Sequence, residues 1–327
     1  MSAPRVSVVV AAYQAERTLP TLLEALGRQE TQVPFETIVV DDGSTDRTSA
    51  LAEAAGARVL RQENAGPAAA RNHGWRAARG GILLFTDADC VPRANWVELL
   101  AGALDDEFQV VSGSYGIANP GHLLAEVVHA EIVWRHSRLP ESVEFAGSFN
   151  LGATRVALEA IDGFDETFPS ASAEDNDLSY RLRDAGFRIR FVRSALVDHH
   201  HPISLTRYLR EQARHGYWRV ILYARHPGRA RGDGYAGPVD FLAPPLAVLS
   251  VGLALVGAWV PWAWPAALFC LVLNLFIHSR LALVISSRQR SSLPLALAPI
   301  GTLRAYARAW GMVRGVLALP FRREASS

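Results

Sequence analysis

The chain has 327 residues, half of them hydrophobic, and a formal net charge of +1. That length favours one main domain plus an appendage, and the near-zero charge gives no bulk attraction to nucleic acid. Charge is uneven, however: acids concentrate before His201 and the chain after it is basic, which suits a tail beside anionic lipid. Cys90 and Cys270 lie far apart, so neither a disulfide framework nor a cysteine-based metal site is expected. The N-terminus lacks a basic region followed by a long apolar core. Residues 6–12 therefore read as a buried strand, not a signal peptide, and this part is expected in the cytosol.

Apolar runs at 6–10, 36–40, 58–60 and 82–85 each end in polar loops. Between them Leu19, Leu22, Leu23 and Leu26 share a helical face, as do Leu51, Ala54 and Ala55, and Pro67 suits the first turn of a third helix. The alternation predicts an α/β, Rossmann-like sheet, largely parallel, with helices on both faces. Ligands bind such sheets beyond the carboxyl ends of the strands. From 110 onward the pattern mixes, with a helix over 123–138, an extended stretch at 145–153 and a helix over 175–185 ended by Gly186.

Residues 204–225 interleave Tyr208, Trp218 and Ile221 with Arg207, Arg210 and Arg214. They read as a basic amphipathic helix in a membrane interface, or else as a surface helix packed on the domain. Stretches 239–260 and 262–285 each approach the roughly 20 residues that cross a bilayer. Trp259, Trp262 and Trp264 with Pro261 mark the turn between them, and Arg225, Arg229, Arg231, Arg288 and Arg290 put both flanks in the cytosol. Pro244, Pro245, His278 and Arg280 interrupt the spans and must snorkel or face protein; a re-entrant hairpin is the alternative. Residues 293–319, with Arg304, Arg308 and Arg314, look interfacial. The expected division is 1–203 catalytic, 204–235 interface helix and linker, 236–287 two-span hairpin, and 288–327 cytosolic or interfacial tail.

Four groups carry chemistry, in order. Asp41 and Asp42 end a strand, where carboxylates can accept hydrogen bonds from a base or ribose, whereas Asp46 reads as turn and N-cap. Small residues over 64–72 surround Arg71, which can reach a phosphate or base from a helix. Asp87 and Asp89 flank Ala88 after another strand. In extended chain they share a side, and a hard cation such as Mn2+ or Mg2+ that also binds phosphate relieves their repulsion. Finally Gly147 lies within the stretch 145–150, and Glu174, Asp175 and Asp177 open a helix. Asp175 could take the proton of an attacking hydroxyl, although capping the positive helix end would lower its pKa. His199 and His201 follow at a strand end, where alternation pairs them as further metal ligands or as plain surface histidines.

Ala12-Tyr13, Asp41-Asp42-Gly43-Ser44, the 64–72 segment with Arg71-Asn72, Asp87-Ala88-Asp89 and Glu174-Asp175, in this order, resemble the family 2 glycosyltransferases of GT-A fold over about residues 4–225. The resemblance implies a mixed GT-A sheet and an inverting, Mn2+- or Mg2+-dependent displacement from a nucleotide-diphosphate sugar, UDP-sugar favoured. Asp41 and Asp42 would then contact the nucleoside, Asp87 the sugar and ribose, Asp89 the metal, and Asp175 would be the base. Ala12, Tyr13, Glu16, Arg71, Ala88, Gly147 and Glu174 complete the donor contacts, and Asp87, His199 and His201 the metal set. Gln14 stands where the family often shows Asn, a departure that leaves backbone contacts in place. The Gln-x-x-Arg-Trp signature of processive synthases is broken, since Gln212 is followed by Ala213, Arg214 and His215. Transfer of one sugar is expected, to a polyprenyl-linked or cell-envelope glycan acceptor at the cytosolic face of the inner membrane. A sugar nucleotidyltransferase would want a glycine-rich basic loop after the first strand, which 11–16 does not supply. A non-catalytic sugar-binding or scaffolding protein would not need the acids intact.

Overall fold

The computed structural model describes residues 4–168, 173–229 and 237–324; Arg231 and the rest of linker 230–236 lie outside the described residues. In chain order the elements are β1 (Val6–Ala12), α1 (Leu19–Gly27), β2 (Phe35–Asp41), α2 (Thr48–Ala54), β3 (Arg58–Arg61), α3 (Pro67–Ala77) and β4 (Ile82–Asp87). Then come β5 (Cys90–Pro92), α4 (Trp96–Gly102), β6 (Val110–Ile117), α5 (Leu123–His136), β7 (Ser142–Val143), β8 (Asn150–Thr154), α6 (Arg155–Glu159), α7 (Glu174–Asp184) and β9 (Ile189–His199). Four long helices follow: α8 (Leu205–Arg225), α9 (Pro238–Val256), α10 (Ala263–Gln289) and α11 (Leu297–Glu324). The chain forms two compact units, Met1–Asn119 with His136–His200, and Pro120–Arg135 with His201–Ser327. Most of α5 thus groups with the C-terminal helices, which the linear division at 203 does not anticipate.

The first unit is built on one mixed sheet of order β3-β2-β1-β4-β8-β6-β9-β5, with β7 paired to β9. Strands β3, β2, β1 and β4 run parallel, β8 is antiparallel to β4 and β6, and β5 is antiparallel to β9. The parallel strands are covered on both faces, so they read as continuous apolar runs: Val6, Val8, Val9 and Val10 are all fully buried. On α1, Leu19, Leu22, Leu23 and Leu26 form the buried face. One consequence positions the site. The ends of β1, β2, β4, β6 and β9 and the starts of β8 and β5 share one sheet edge.

In the second unit, α9 and α10 are long and apolar enough to cross a membrane. Their burial is inverted relative to a water-soluble bundle: Leu249, Leu255, Phe269 and Phe276 are exposed, while Ser250, Asn274 and His278 are buried. Exposed apolar and buried polar side chains suit a lipid surround. His278 thus faces protein, its Nδ1 2.9 Å from the Asn274 carbonyl, and Gly301 leaves room for its ring. Helices α8 and α11 meet through glycines, since a Cβ at Gly216 would strike the Arg308 carbonyl and one at Gly311 the Ala213 carbonyl; small residues let backbones approach in this way. Arg304 and Arg308 turn inward because acids await them. Arg304 donates to both Glu131 oxygens (2.6 and 3.0 Å), Arg308 to Asp240 (2.8 Å), and Arg135 joins Glu131 to Asp240 (2.7 Å each).

Candidate active site

At the shared edge Ala12 is in register with Asp41, and Ala11 with Asp87. Asp41 and Asp42 are buried and already bonded within the protein. Asp41 accepts from Ser44 N (2.9 Å) and the Ser49 hydroxyl. Asp42 accepts from Gln62 Nε2 (2.8 Å), Ala65 N (2.9 Å) and Gly66 N (2.9 Å), so it shapes the turn that starts α3. Asp46 plays the expected turn role, accepting from Thr48 N and Glu16 N, but it is not the N-cap of α2, a position held by Arg47. Ala12 is buried and its carbonyl accepts from Asp42 N (2.9 Å), while Tyr13 is exposed. Gln14 has a left-handed φ of 50°, a conformation in which Asn is enriched. Here the longer side chain reaches Thr45 Oγ1 (2.9 Å) instead.

Arg71 is the hub. It is buried on α3, and its Nη2 donates to Asp87 Oδ1 (2.7 Å) and its Nη1 to Glu174 Oε1 (3.1 Å). Burial works against its charge, but Asp87 and Glu174 outweigh that and keep it protonated far above neutrality. Its guanidinium is thus held by two acids, Asp87 and Glu174. Among the described residues its Nε has no hydrogen-bond partner. Asp175, half-buried in the first turn of α7, accepts from Asn176 N (2.8 Å). Burial, and next the charge of Glu174, push its carboxyl up to about 7, with Arg71 opposing. The lowering expected from the helix end is overturned, because desolvation and a like charge dominate the dipole. Asp177 is tied to Arg181 (2.7 Å) within the helix.

Asp89 does not converge with Asp87 by strand alternation, because β4 stops at Asp87 and Ala88–Asp89 form a turn. Ala88 is buried there. Asp87 turns to Arg71, and Asp89 instead lies 3.9 Å from His199 Nε2. Partial burial raises the Asp89 carboxyl, His199 opposes this, and Asp87 adds to it. Strand β9 likewise ends at His199, so the alternation argument does not extend to His201, which belongs to the second unit with its Nε2 3.2 Å from His129 Nδ1. Cys90, set aside on sequence grounds, joins Asp89 and His199: one ligand atom from each lies within 4.8 Å of the others. A carboxylate made less acidic beside a second acid, with an imidazole at hand, fits a divalent cation.

Behind this edge Tyr115 and Phe149 stack at 3.7 Å, with His199 edge-on to Tyr115 at 5.5 Å. Gly147 is glycine because a Cβ would strike the Phe149 ring. Asn150 is fully buried and ties three elements, accepting from Trp96 Nε1 (2.8 Å) and donating to the carbonyls of Ser114 (2.9 Å) and Ala195 (3.0 Å). An Asn amid apolar strand residues was the one sequence signal for it.

Residues 7–154 match the sequence model described as glycosyl transferase family 2, and residues 82–297 that of glycosyl transferase family group 2. A pre-mycofactocin glycosyltransferase of Mycobacterium tuberculosis is 31% identical over 209 residues, covering 59% of this chain and 43% of the relative. A validoxylamine A glucosyltransferase of Streptomyces hygroscopicus subsp. jinggangensis is 32% identical over 231 residues, covering 59% of this chain and 54% of the relative. The chain thus spans about half the length of these relatives, or less. The mannosyltransferase PcManGT of Pyrobaculum calidifontis, solved with GDP-Man and Mn2+, shares the fold at a TM-score of 0.60 and 20% identity, over 96% of this chain and 88% of that one.

Proposed function

Since this chain belongs to the family 2 glycosyltransferases, we propose that it transfers one sugar, with inversion, from a nucleotide-diphosphate sugar to a membrane-associated acceptor hydroxyl. The observation that carries this reading is the Arg71 bridge between Asp87 and Glu174, with Asp175 beside it pushed up to about 7. A base with a pKa near the working pH combines a useful ionised fraction with real proton affinity. Asp175 takes the acceptor proton as the acceptor oxygen bonds to the anomeric carbon and the bond to the diphosphate breaks. Arg71 holds Asp87 and Glu174 in place on either side of that event. Asp89 and His199 would hold a divalent metal, Mn2+ or Mg2+, which when bound supplies positive charge opposite the leaving diphosphate. Asp41, Asp42, Tyr13 and Glu16 shape the nucleoside end; a UDP-sugar is the favoured donor.

The inverted burial of α9 and α10 supports a two-span hairpin in the cytoplasmic membrane, with α8 along the interface and the catalytic unit in the cytosol. That arrangement suits a polyprenyl-linked or envelope-glycan acceptor. The test is a screen of UDP-, GDP- and dTDP-sugars with Mn2+ or Mg2+ in detergent, reading transfer and nucleoside-diphosphate release. Absence of both across the panel would sink the proposal, and glycosylation of soluble acceptors alone would remove the lipid-linked acceptor.

A further inference from the structure

Cys90 opens β5 and lies directly opposite His199 in the antiparallel pairing with β9. Directly opposed residues project to one sheet face with Cβ atoms about 5 Å apart. Asp89 immediately precedes Cys90, its Oδ1 4.0 Å from the Cys90 Sγ and its Oδ2 3.9 Å from His199 Nε2. Two independent features therefore converge: the strand register fixes the thiol beside the imidazole, and the turn adds the carboxylate. The result is a mixed oxygen, sulfur and nitrogen set within 4.8 Å. Hard cations take the oxygen and complete their shell with water and phosphate, whereas zinc accepts all three donor types and binds thiolate strongly.

The geometry points to Cys90 as a third protein ligand of this centre, recruited by thiophilic metals such as Zn2+ and left unused by Mn2+. The inference rests on the reading of Asp89 and His199 as metal ligands. Coordination exchanges the S–H bond for an S–Zn bond and releases the proton to solvent, with no change of oxidation state. Ligand atoms around tetrahedral zinc sit roughly 3.5 Å apart; Asp89, in its half-exposed turn, can close its two distances by side-chain rotation, and the Cys90 and His199 side chains must close theirs. Three protein ligands leave zinc a single open position. Zinc bound in this way competes with manganese for the centre.

The experiment uses the full chain in detergent, stripped of metal. Titration with Co2+, a spectroscopic substitute for zinc, is expected to give a thiolate-to-cobalt charge-transfer band in the near ultraviolet. Cys270→Ser should keep the band and Cys90→Ser should lose it. X-ray absorption of the zinc-loaded wild type should show one sulfur at about 2.3 Å, a result that depends on no variant folding. By chelator competition, Cys90→Ser should weaken zinc roughly tenfold or more while shifting Mn2+ by less than about twofold. A band that survives in Cys90→Ser, a zinc shell of nitrogen and oxygen alone, or equal losses for zinc and manganese would each overturn the inference. Manganese binding untouched by Asp89→Ala would instead overturn the metal centre itself, so the two failures are distinct.

Discussion

Each unit buries an arginine cluster, and the two reach opposite results. In the first, Arg71 faces Asp87, Glu174 and Asp175. In the second, Arg135, Arg304 and Arg308 face Glu131 and Asp240. Burial, and next the like charge of Glu174, outweigh the one cation, and Asp175 rises to about 7. With the surplus reversed, burial still opposes ionisation of Glu131, but Arg304 and Arg135 draw it down to about 2. The sign of the surplus decides whether a buried cluster titrates near neutrality or stays locked. The first cluster can accept a proton. The second is a clamp that ties α5, α9 and α11 together.

The contrast breaks most visibly at Asp175. Asp175→Asn should lower kcat by about two to four orders of magnitude while leaving the thermal midpoint unchanged or higher, because a neutral amide relieves the repulsion with Glu174. Transfer within about tenfold of wild type would remove Asp175 from the role of base. Glu131→Ala should do the converse. It strips buried Arg304 of its carboxylate partner and leaves Arg135 only Asp240, at a cost of about 3–5 kcal/mol, read as a lower thermal midpoint in detergent. A loss below about 1 kcal/mol would make the clamp a spectator.

The two carboxylates also differ in the sign of their pH dependence. The folded pKa of Glu131 lies below its unfolded value of 4.5, so its stabilisation is complete above that value and is lost as pH falls toward about 2. For Asp175 the folded value lies above the unfolded 3.8. The folded chain then binds the extra proton, and that contribution to stability declines as pH rises from about 4 through about 7. Activity should run the other way. The kcat/KM should rise with pH around an apparent midpoint near 7 that belongs to the cluster. Glu174→Gln removes the neighbouring charge and should move that midpoint down by about one unit; a pH–rate profile that does not move would assign the rise to another group.

Much of the edge was legible in the sequence, because an apolar run ending in Asp identifies both a strand and its end, as at Asp41 and Asp87. What was not legible depends on distance along the chain. Arg71 meets Glu174 across 103 positions, and no local pattern reports that. The raised carboxyl of Asp175 likewise follows from tertiary burial, where local reasoning saw only a helix end. Cys90 has no cysteine near it in sequence, and it gains a neighbour in His199 only through strand register. The histidine alternation failed for a simple reason: β9 ends at His199. In the second unit, amphipathic patterning gave α8 its helix, but the glycines that let it meet α11 have no meaning until both helices are known.

The finest contrast between the clusters lies at Gln212, the residue left over from the broken processive signature. Its Oε1 accepts from Arg308 Nε (2.8 Å) while Arg308 Nη1 holds Asp240. Arg71 has no counterpart among the described residues, where its Nε finds no acceptor. Gln212→Ala should therefore give Arg308 the defect that Arg71 already carries, at about 1 kcal/mol. Gln212→Glu tests the charge argument more sharply, because it would balance three cations with three acids. Burial and the nearby charge of Arg304 already make the Arg308 guanidinium easier to deprotonate than usual, so an added carboxylate should be welcome. The thermal midpoint of Gln212→Glu should then exceed that of wild type by a few degrees. A midpoint as low as that of Gln212→Ala would show that hydrogen-bond geometry, and not surplus charge, sets the strength of the clamp.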